Sequence, residues 1–438
     1  MKVLVAAKAL DVNRTSEGIC TSKFVAALSR AGHDVVCITG EASLSAQSEW
    51  SRVAWLDRAL VRHISAYSGD GAWPRRRALL KSMARGNAGA YAVRKINASL
   101  AYGTGYDSDA WTEVTHWRTA LQTALRDERP DIAFIRAAGS EFHPHLAMLN
   151  VDTAVPWAAH YHDPFPLSLY PAPYRTRYPF IAGHQERLHR RILERASALT
   201  FPSRRLLKWV LSGQEAPHQT KGFVLPHLAM ALAFADAASE LPDSLQLSAD
   251  RFNLVHTGTL LGPRNPGPLV SAFRAFVGDD ACKRRLARLT FVGSVNRAHA
   301  QYERSVAGDG AHIEILNQRI SYQQSLQLIR AATAAVVLEA GAESPFFPAK
   351  LADYLWLNKP ILALSPRNSV ASDLLGSEYP LLAAPDDEPG IARALDHLWQ
   401  HWRSGRMNRL QPAADCQQIG EAAVRVELNR VFQAVGVH

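Results

Sequence analysis

ESPFFPAKLADYLWLNKPIL, Glu343–Leu362, joins a rigid turn to a helix and the helix to a strand. Ser344-Pro345 starts a turn, and Pro348 suits the first turn of a helix, where its missing N–H costs nothing. Lys359-Pro360 and the apolar run Ile361–Leu364 follow. A purely structural helix start needs only a cap, yet Lys350 and Asp353 both stand on the first turn of this one. Free N–H groups at a helix start favour phosphate, and Lys350 adds a point charge. Asp353 lies one turn further along the same face, within reach of a pair of hydroxyls. Phosphate beside a diol is what a nucleotide presents. The plain alternative is a Lys350–Asp353 surface pair, worth about 0.3 kcal/mol.

The same strand-and-helix alternation extends over the chain. Val3–Ala7, Val35–Ile38, Ile132–Ile135, Val155–Ala159, Ala198–Phe201 and Phe223–Leu225 read as buried strands, with an early helix over Ser22–Ala31. A polar, Ala-rich stretch around Ala233–Asp250 interrupts the pattern. It restarts with Asn253–His256, Leu289–Val292, Ile313–Leu316, Ala335–Leu338 and Ile361–Leu364. This is an α/β chain with two Rossmann-like, doubly wound parallel-sheet domains facing across a cleft. The expected domains are residues 1–230 and 231–410, and apolar spacing over Cys416–Val435 makes a closing helix in 411–438 that packs back toward the first domain. Residues 41–120 are rich in Trp and Arg and show no clear period.

The 438 residues are too many for one ordinary core, and 47% hydrophobic with 20% charged residues is a globular composition. No apolar run reaches the ~18–20 residues of a membrane span, and the N-terminus reads as a strand rather than a signal peptide. Cys20, Cys37, Cys282 and Cys416 are scattered without CxxC spacing, which suggests neither a zinc site nor a disulfide framework and makes the cytoplasm the expected compartment. The net charge of +9 permits an anionic partner. It gathers at Arg75–Arg77, Lys81 and Arg85, and at Arg187, Arg190, Arg191 and Arg195. Solvated helix faces account for such clusters. Leu79, Leu80 and Met83 within the first also fit an anionic membrane surface at the inner face, while no nucleic-acid-binding module is visible.

Ligands of doubly wound sheets sit outside the carboxyl ends of the strands, so the loops there are the candidates for chemistry. After the first strand, Gly18 precedes a helix expected near Cys20–Ser22 and lets backbone approach a ligand, although an ordinary turn fits equally. After Val155–Ala159 comes His160-Tyr161-His162-Asp163-Pro164-Phe165-Pro166, in which the prolines fix the direction of Asp163. Asp163 and His162 are acid/base candidates, against a reading as a capped turn. A metal set drawing on His143 and His145 matches no ligand spacing. After His256, Gly258, Gly262, Pro263 and Arg264 combine freedom, stiffness and a cation suited to phosphate, or Arg264 is an ordinary surface arginine.

Three of these segments carry a family resemblance. PAKLADYLWLNKPIL resembles the P-x-K-L-x-E-Y-L-x-x-G-K-P-(V/I)-L segment of GT-B glycosyltransferases of the family-4-like group. GTLLGPRNPGPLVSAF resembles that group's arginine loop, and EGICTSKFVAALSRAGHDVVCIT its first helix and second strand. The resemblance implies a GT-B fold and a retaining transfer of a sugar from a nucleotide-sugar donor, held by the C-terminal domain, to an acceptor in the N-terminal domain. By that analogy Arg264 holds the donor diphosphate, Asp353 the ribose, the backbone of Ile320 the base, and Gly18 approaches a donor phosphate. Ser344 and Lys350 join the donor site, and Asp163 with His162 assists the acceptor hydroxyl. The family's ribose glutamate is the shorter Asp353, and its partner glutamate would fall at Pro345, with Glu343 nearby but out of register. Val270 stands in place of a lysine, a charge Lys350 can supply, and Asn358 replaces a helix-ending glycine.

The expected activity is therefore glycosyl transfer to a glycan or lipid-linked acceptor in cell-surface polysaccharide synthesis, with no cofactor and no catalytic metal. A nucleotide-sugar 2-epimerase of the same architecture, or a non-catalytic nucleotide-sugar-binding protein, are the alternatives. The epimerase needs several carboxylates and histidines converging on the sugar, more than the sequence displays.

Overall fold

In the computed structural model, which describes every residue except 14, 41–60, 66–86, 105, 107, 138, 140–141, 176–178, 231–240, 307–311, 413–415 and 438, the apolar runs form two parallel sheets. The first comprises β1 (Lys2–Ala7), β2 (Asp34–Thr39), β3 (Val61–Ser65), β4 (Ile132–Ala137), β5 (Trp157–Tyr161), β6 (Ala198–Phe201) and β7 (Gly222–Val224). Their spatial order is β3-β2-β1-β4-β5-β6-β7. The second comprises β8 (Phe252–Thr257), β9 (Ala287–Val292), β10 (Ile313–Leu316), β11 (Ala334–Leu338), β13 (Ile361–Leu364) and β15 (Leu382–Ala383). Their order is β10-β9-β8-β11-β13-β15, and β12 (Glu343–Ser344) pairs with β14 (Asn368–Ser369) in a separate ribbon.

Both sheets reverse their winding at one place, between β1 and β4 in the first and between β8 and β11 in the second. Crossover helices leave the sheet on opposite faces there, so a crevice opens at the carboxyl ends of those strands. The register fixes which residues line it. Ala7 pairs with both Thr39 and Arg136, which puts Arg136 at the mouth of the first crevice. Thr257 ends β8 and Glu339 follows β11, which puts both at the second.

Several boundaries differ from the sequence expectation for local reasons. The first helix, α1 (Ser16–Arg30), starts earlier than expected because Thr15 caps it, its hydroxyl accepting from Gly18 N at 3.1 Å. Gly18 is thus inside the helix, and a Cβ there would lie 2.2 Å from the Asp11 carbonyl oxygen. Strand β5 starts at Trp157 rather than Val155, since Pro156 has no N–H for the ladder. His160 and Tyr161 therefore belong to the strand, not the loop. The closing helix is broken: a 3-10 turn over Cys416–Ile419 precedes α4 (Glu421–Ala434), with Gly420 as its cap.

Val424, Leu428, Val431 and Phe432 of α4 pack on Val3, Val5, Phe24 and Phe134, so the chain end returns to the first sheet. Arg30 ties it there by a 3.0 Å hydrogen bond to Glu421. Within residues 41–120 the structure places β3 and the helices Asn87–Thr104 and Ser108–Glu128. The cluster Arg75–Arg77 with Leu79, Leu80, Lys81, Met83 and Arg85 lies outside the described residues. Arg187, Arg190, Arg191 and Arg195 are exposed along the helix Pro179–Arg195.

Candidate active site

At the second crevice, the helix α3 (Ala349–Trp356) points its first turn toward the loop after β8. Its flexible exit is built by Asn358, which takes the left-handed φ of 51° expected of the glycine it replaces. Lys350 runs from α3 under that loop, where Nζ donates to the Thr257 carbonyl and lies 3.4 Å from His256 Nε2. Gly258 permits this: its φ is +123°, and a Cβ would meet Lys350 Nζ at 2.6 Å. Burial, and then the charge of Arg264, push the Lys350 amine down to about 7. Arg264 donates from Nε to the Tyr174 hydroxyl at 3.3 Å. The two cations expected to hold a diphosphate are thus brought together, and neither forms an ion pair among the described residues. Val270 lies in the core at 1% exposure, so that position supplies no charge.

Other expected donor residues are differently placed. Ser344 does not cap α3, whose cap is Pro348; it is buried in β12 and its hydroxyl donates to Glu339 at 2.6 Å. Glu339 also accepts from the Ser365 hydroxyl, and burial raises its pKa. Glu343 is exposed and Pro345 buried, so no second acid stands opposite Asp353 on this segment. Asp353 itself is 5% exposed and spoken for: Lys23 of α1 forms an ion pair with it, and the Tyr322 hydroxyl donates to the same oxygen at 2.7 Å. The surface-pair reading of Lys350 and Asp353 therefore fails, each having found a different partner. Lys23 also donates to the Leu228 carbonyl at 3.0 Å, so it ties the first domain to the second and to the chain between them.

Ile320 sits just before the helix α2 (Tyr322–Ala331), in a loop docked on the first domain. Arg319 donates to the Asn13 carbonyl at 2.9 Å, and Tyr322 N donates to Asn13 Oδ1 at 2.7 Å. A second bridge lies across the cleft. Phe346 meets the rings of Tyr170 and Tyr174 at 5.6 and 5.0 Å, and Gly341, φ +90°, lets the Ala172 carbonyl come where a side chain would stand.

At the first crevice, Asp163 is half-buried and one oxygen accepts from Gly139 N at 2.7 Å, which sets its direction without the prolines alone. His162 is buried beside His227, ring centroids 4.6 Å apart, and His227 faces Phe347 of the opposite loop at 4.9 Å. Burial depresses the pKa of His162, against the pull of Asp163, and that of His160 and His227 further. Two residues that drew no attention in the sequence join them. Arg136 is 3% exposed over the Phe24 ring, its Nε without a partner among the described residues. Glu17 is fully enclosed, which lifts its carboxyl to about 7 despite the charge of Arg136. The other histidine pair goes elsewhere: His143 Nδ1 faces Glu113 at 3.1 Å, and His145 stacks on Phe142.

No family model matches the chain, and no curated protein matches it in sequence. Solved structures do match over the whole length. The Anabaena protein HepE, solved with UDP, aligns over 99% of this chain and 100% of its own at TM-score 0.60 and 11% identity. Sucrose-phosphate synthase of Thermosynechococcus elongatus aligns over 100% and 99% at TM-score 0.61 and 14% identity. The fold is GT-B. A putative UDP-N-acetylglucosamine 2-epimerase of Listeria monocytogenes shares it, at TM-score 0.55, 13% identity and coverage of 100% and 98%. The GT-B frame accounts for the geometry above: two switch-point crevices face one another, with the cations on one side and the carboxylate–histidine cluster on the other.

Proposed function

We propose that this protein is a glycosyltransferase that moves a sugar from a nucleotide-sugar donor to a glycan or lipid-linked acceptor in cell-surface polysaccharide synthesis. The observation that carries this reading is the convergence of Arg264 and Lys350 at the β8–β11 crevice, opposite Asp163. The donor diphosphate lies against the two cations. The bond from the anomeric carbon to the diphosphate oxygen breaks, and the acceptor oxygen bonds to that carbon from the same face, as retention requires. Asp163 takes the acceptor proton, and Arg264 and Lys350 stabilise the charge left on the diphosphate. No catalytic metal is invoked, and retention of configuration follows the family resemblance. Asp353 already holds Lys23 and Tyr322 through Oδ1, so a ribose would share this carboxylate with the bridge between the domains. Gly18 serves the packing of Asp11 in this reading. Net charge +9 supports work at an anionic inner membrane surface, and among the described residues no helix is long and apolar enough to cross a membrane.

A second reading, epimerisation of the nucleotide sugar, gains from the structure. Glu17, Asp163, His160, His162, His227 and Arg136 gather at one crevice, a convergence the sequence did not display. Incubation with UDP-, GDP- and dTDP-sugars separates the two. Transfer or slow hydrolysis is expected; a new sugar epimer supports the second reading, and binding without turnover overturns both. Asp163→Asn should keep donor affinity and lose at least ~100-fold in turnover at saturating donor. Full activity of that variant removes Asp163 from the step.

A further inference from the structure

Beneath the Asp163 loop, three side chains from three segments meet. Cys20 on α1, His162 after β5 and His227 in the chain between the domains each offer one ligand atom, and these atoms lie within 4.8 Å of one another. The three residues are 4, 7 and 3% exposed, in that order. His162 Nδ1 and His227 Nε2 have no hydrogen-bond partner among the described residues. Leaving a buried polar group bare costs about 1–3 kcal/mol, so two bare ring nitrogens on histidines clustered with a thiol call for an occupant. We propose that Cys20, His162 and His227 bind a divalent transition-metal ion of the zinc type, which pins α1, the Asp163 loop and the interdomain chain to one another.

The donor set selects the class of ion. One sulfur and two imidazoles suit zinc or cobalt, whereas calcium and magnesium demand oxygen ligands. Both rings are held neutral by burial, which leaves a lone pair for the ion instead of a proton that would repel it. The thiol must ionise: the sulfur–metal bond forms as the Cys20 proton leaves to solvent. Burial opposes this, pushing the thiol up to about 12, while Lys23 and Arg136 favour the thiolate. Those same cations oppose a dication. Asp353 already neutralises Lys23, and the enclosed carboxyl of Glu17 stands against Arg136. The thiolate then offsets one of the two added charges. Three protein ligands leave one position for a water. His160 lies near both rings and its Nε2 also lacks a partner among the described residues, but it stands outside this group of ligand atoms. A trapped water is the competing occupant, since it would satisfy both rings without the sulfur.

Titration of the full-length, chelator-stripped protein with Co²⁺ tests the site without reference to catalysis. One equivalent should bind and give visible bands of four-coordinate cobalt with a near-ultraviolet sulfur-to-cobalt band, both erased by Zn²⁺. Cys20→Ser should lose the sulfur band, and His227→Ala should bind at least ~10-fold more weakly. Because either variant can fold poorly, X-ray absorption of the zinc-loaded wild type provides a second measure: one sulfur at about 2.3 Å and two nitrogens at about 2.0–2.1 Å. A wild type that binds no stoichiometric cobalt, as a water-filled cluster would, overturns the proposal. So does a sulfur-free shell, or an unchanged spectrum in Cys20→Ser.

Discussion

Diphosphate binding should take up a proton at Lys350. In the free protein, burial and Arg264 hold this amine down to about 7, so at about pH 8 some nine in ten Lys350 side chains are neutral. A diphosphate favours the charged form, raises the pKa, and pulls a proton from solvent. The sign follows: affinity is greatest below about pH 7 and falls as pH rises, by up to about tenfold per unit, until the raised pKa of the complex is passed. A nucleotide's terminal phosphate ionises near pH 6, below this window, and so adds no slope of its own. Among the neighbours, His256 is kept neutral by burial and by Lys350. Glu339, with its raised pKa, is controlled for by Glu339→Gln. Calorimetry at about pH 8, in two buffers of different ionisation enthalpy, reads the uptake directly for whichever of UDP, GDP or dTDP binds tightest. Close to one proton is expected in the wild type and none in Lys350→Met. Flat affinity with no uptake in the wild type, or uptake that persists in Lys350→Met, refutes the placement of a diphosphate on this amine.

Three further outcomes follow from the geometry. Arg264→Ala should weaken nucleotide diphosphate binding by roughly 1.5–3 kcal/mol, the worth of a charge-assisted hydrogen bond; unchanged affinity in the same titration would clear it of that role. Lys23→Met and Asp353→Leu should each destabilise by about 3–5 kcal/mol, because each strands a buried charge, whereas Lys23→Met/Asp353→Leu should recover much of the loss. Strictly additive effects in thermal melts of the three variants would show that the two residues do not interact. Anionic vesicles should sediment the protein at low salt and release it at high salt, each basic residue at the surface contributing about 1 kcal/mol; no sedimentation at low salt would remove the membrane from the proposal.

Residues 334–364 show how far the sequence reaches. Their apolar runs, their prolines and the Asn358–Pro360 stop each act on neighbours a few positions away, so β11, α3 and β13 could be placed from the chain alone. The same holds for the two-domain winding, because a strand buried on both faces must read as a continuous apolar run. The loops that carry Arg264, Lys350 and Asp163 followed as carboxyl ends of strands, whereas the switch points came only with the strand order. Small errors came from equally local effects, Pro156 delaying β5 and Thr15 advancing α1. What no local rule contained was the pairing of distant side chains. Lys23 and Asp353 are far apart in the chain, and each alone reads as a solvated charge; only the docking of the two domains buries both and makes them partners. Arg136 and Glu17 read as ordinary residues just outside a strand and a helix until the crevice closes over them. Cys20, His162 and His227 share no spacing at all, since a ligand set drawn from a helix, a strand end and a linker is defined by distance in space. Short-range sterics and burial period are written along the chain, whereas desolvation and charge pairing exist only once the folded surfaces meet.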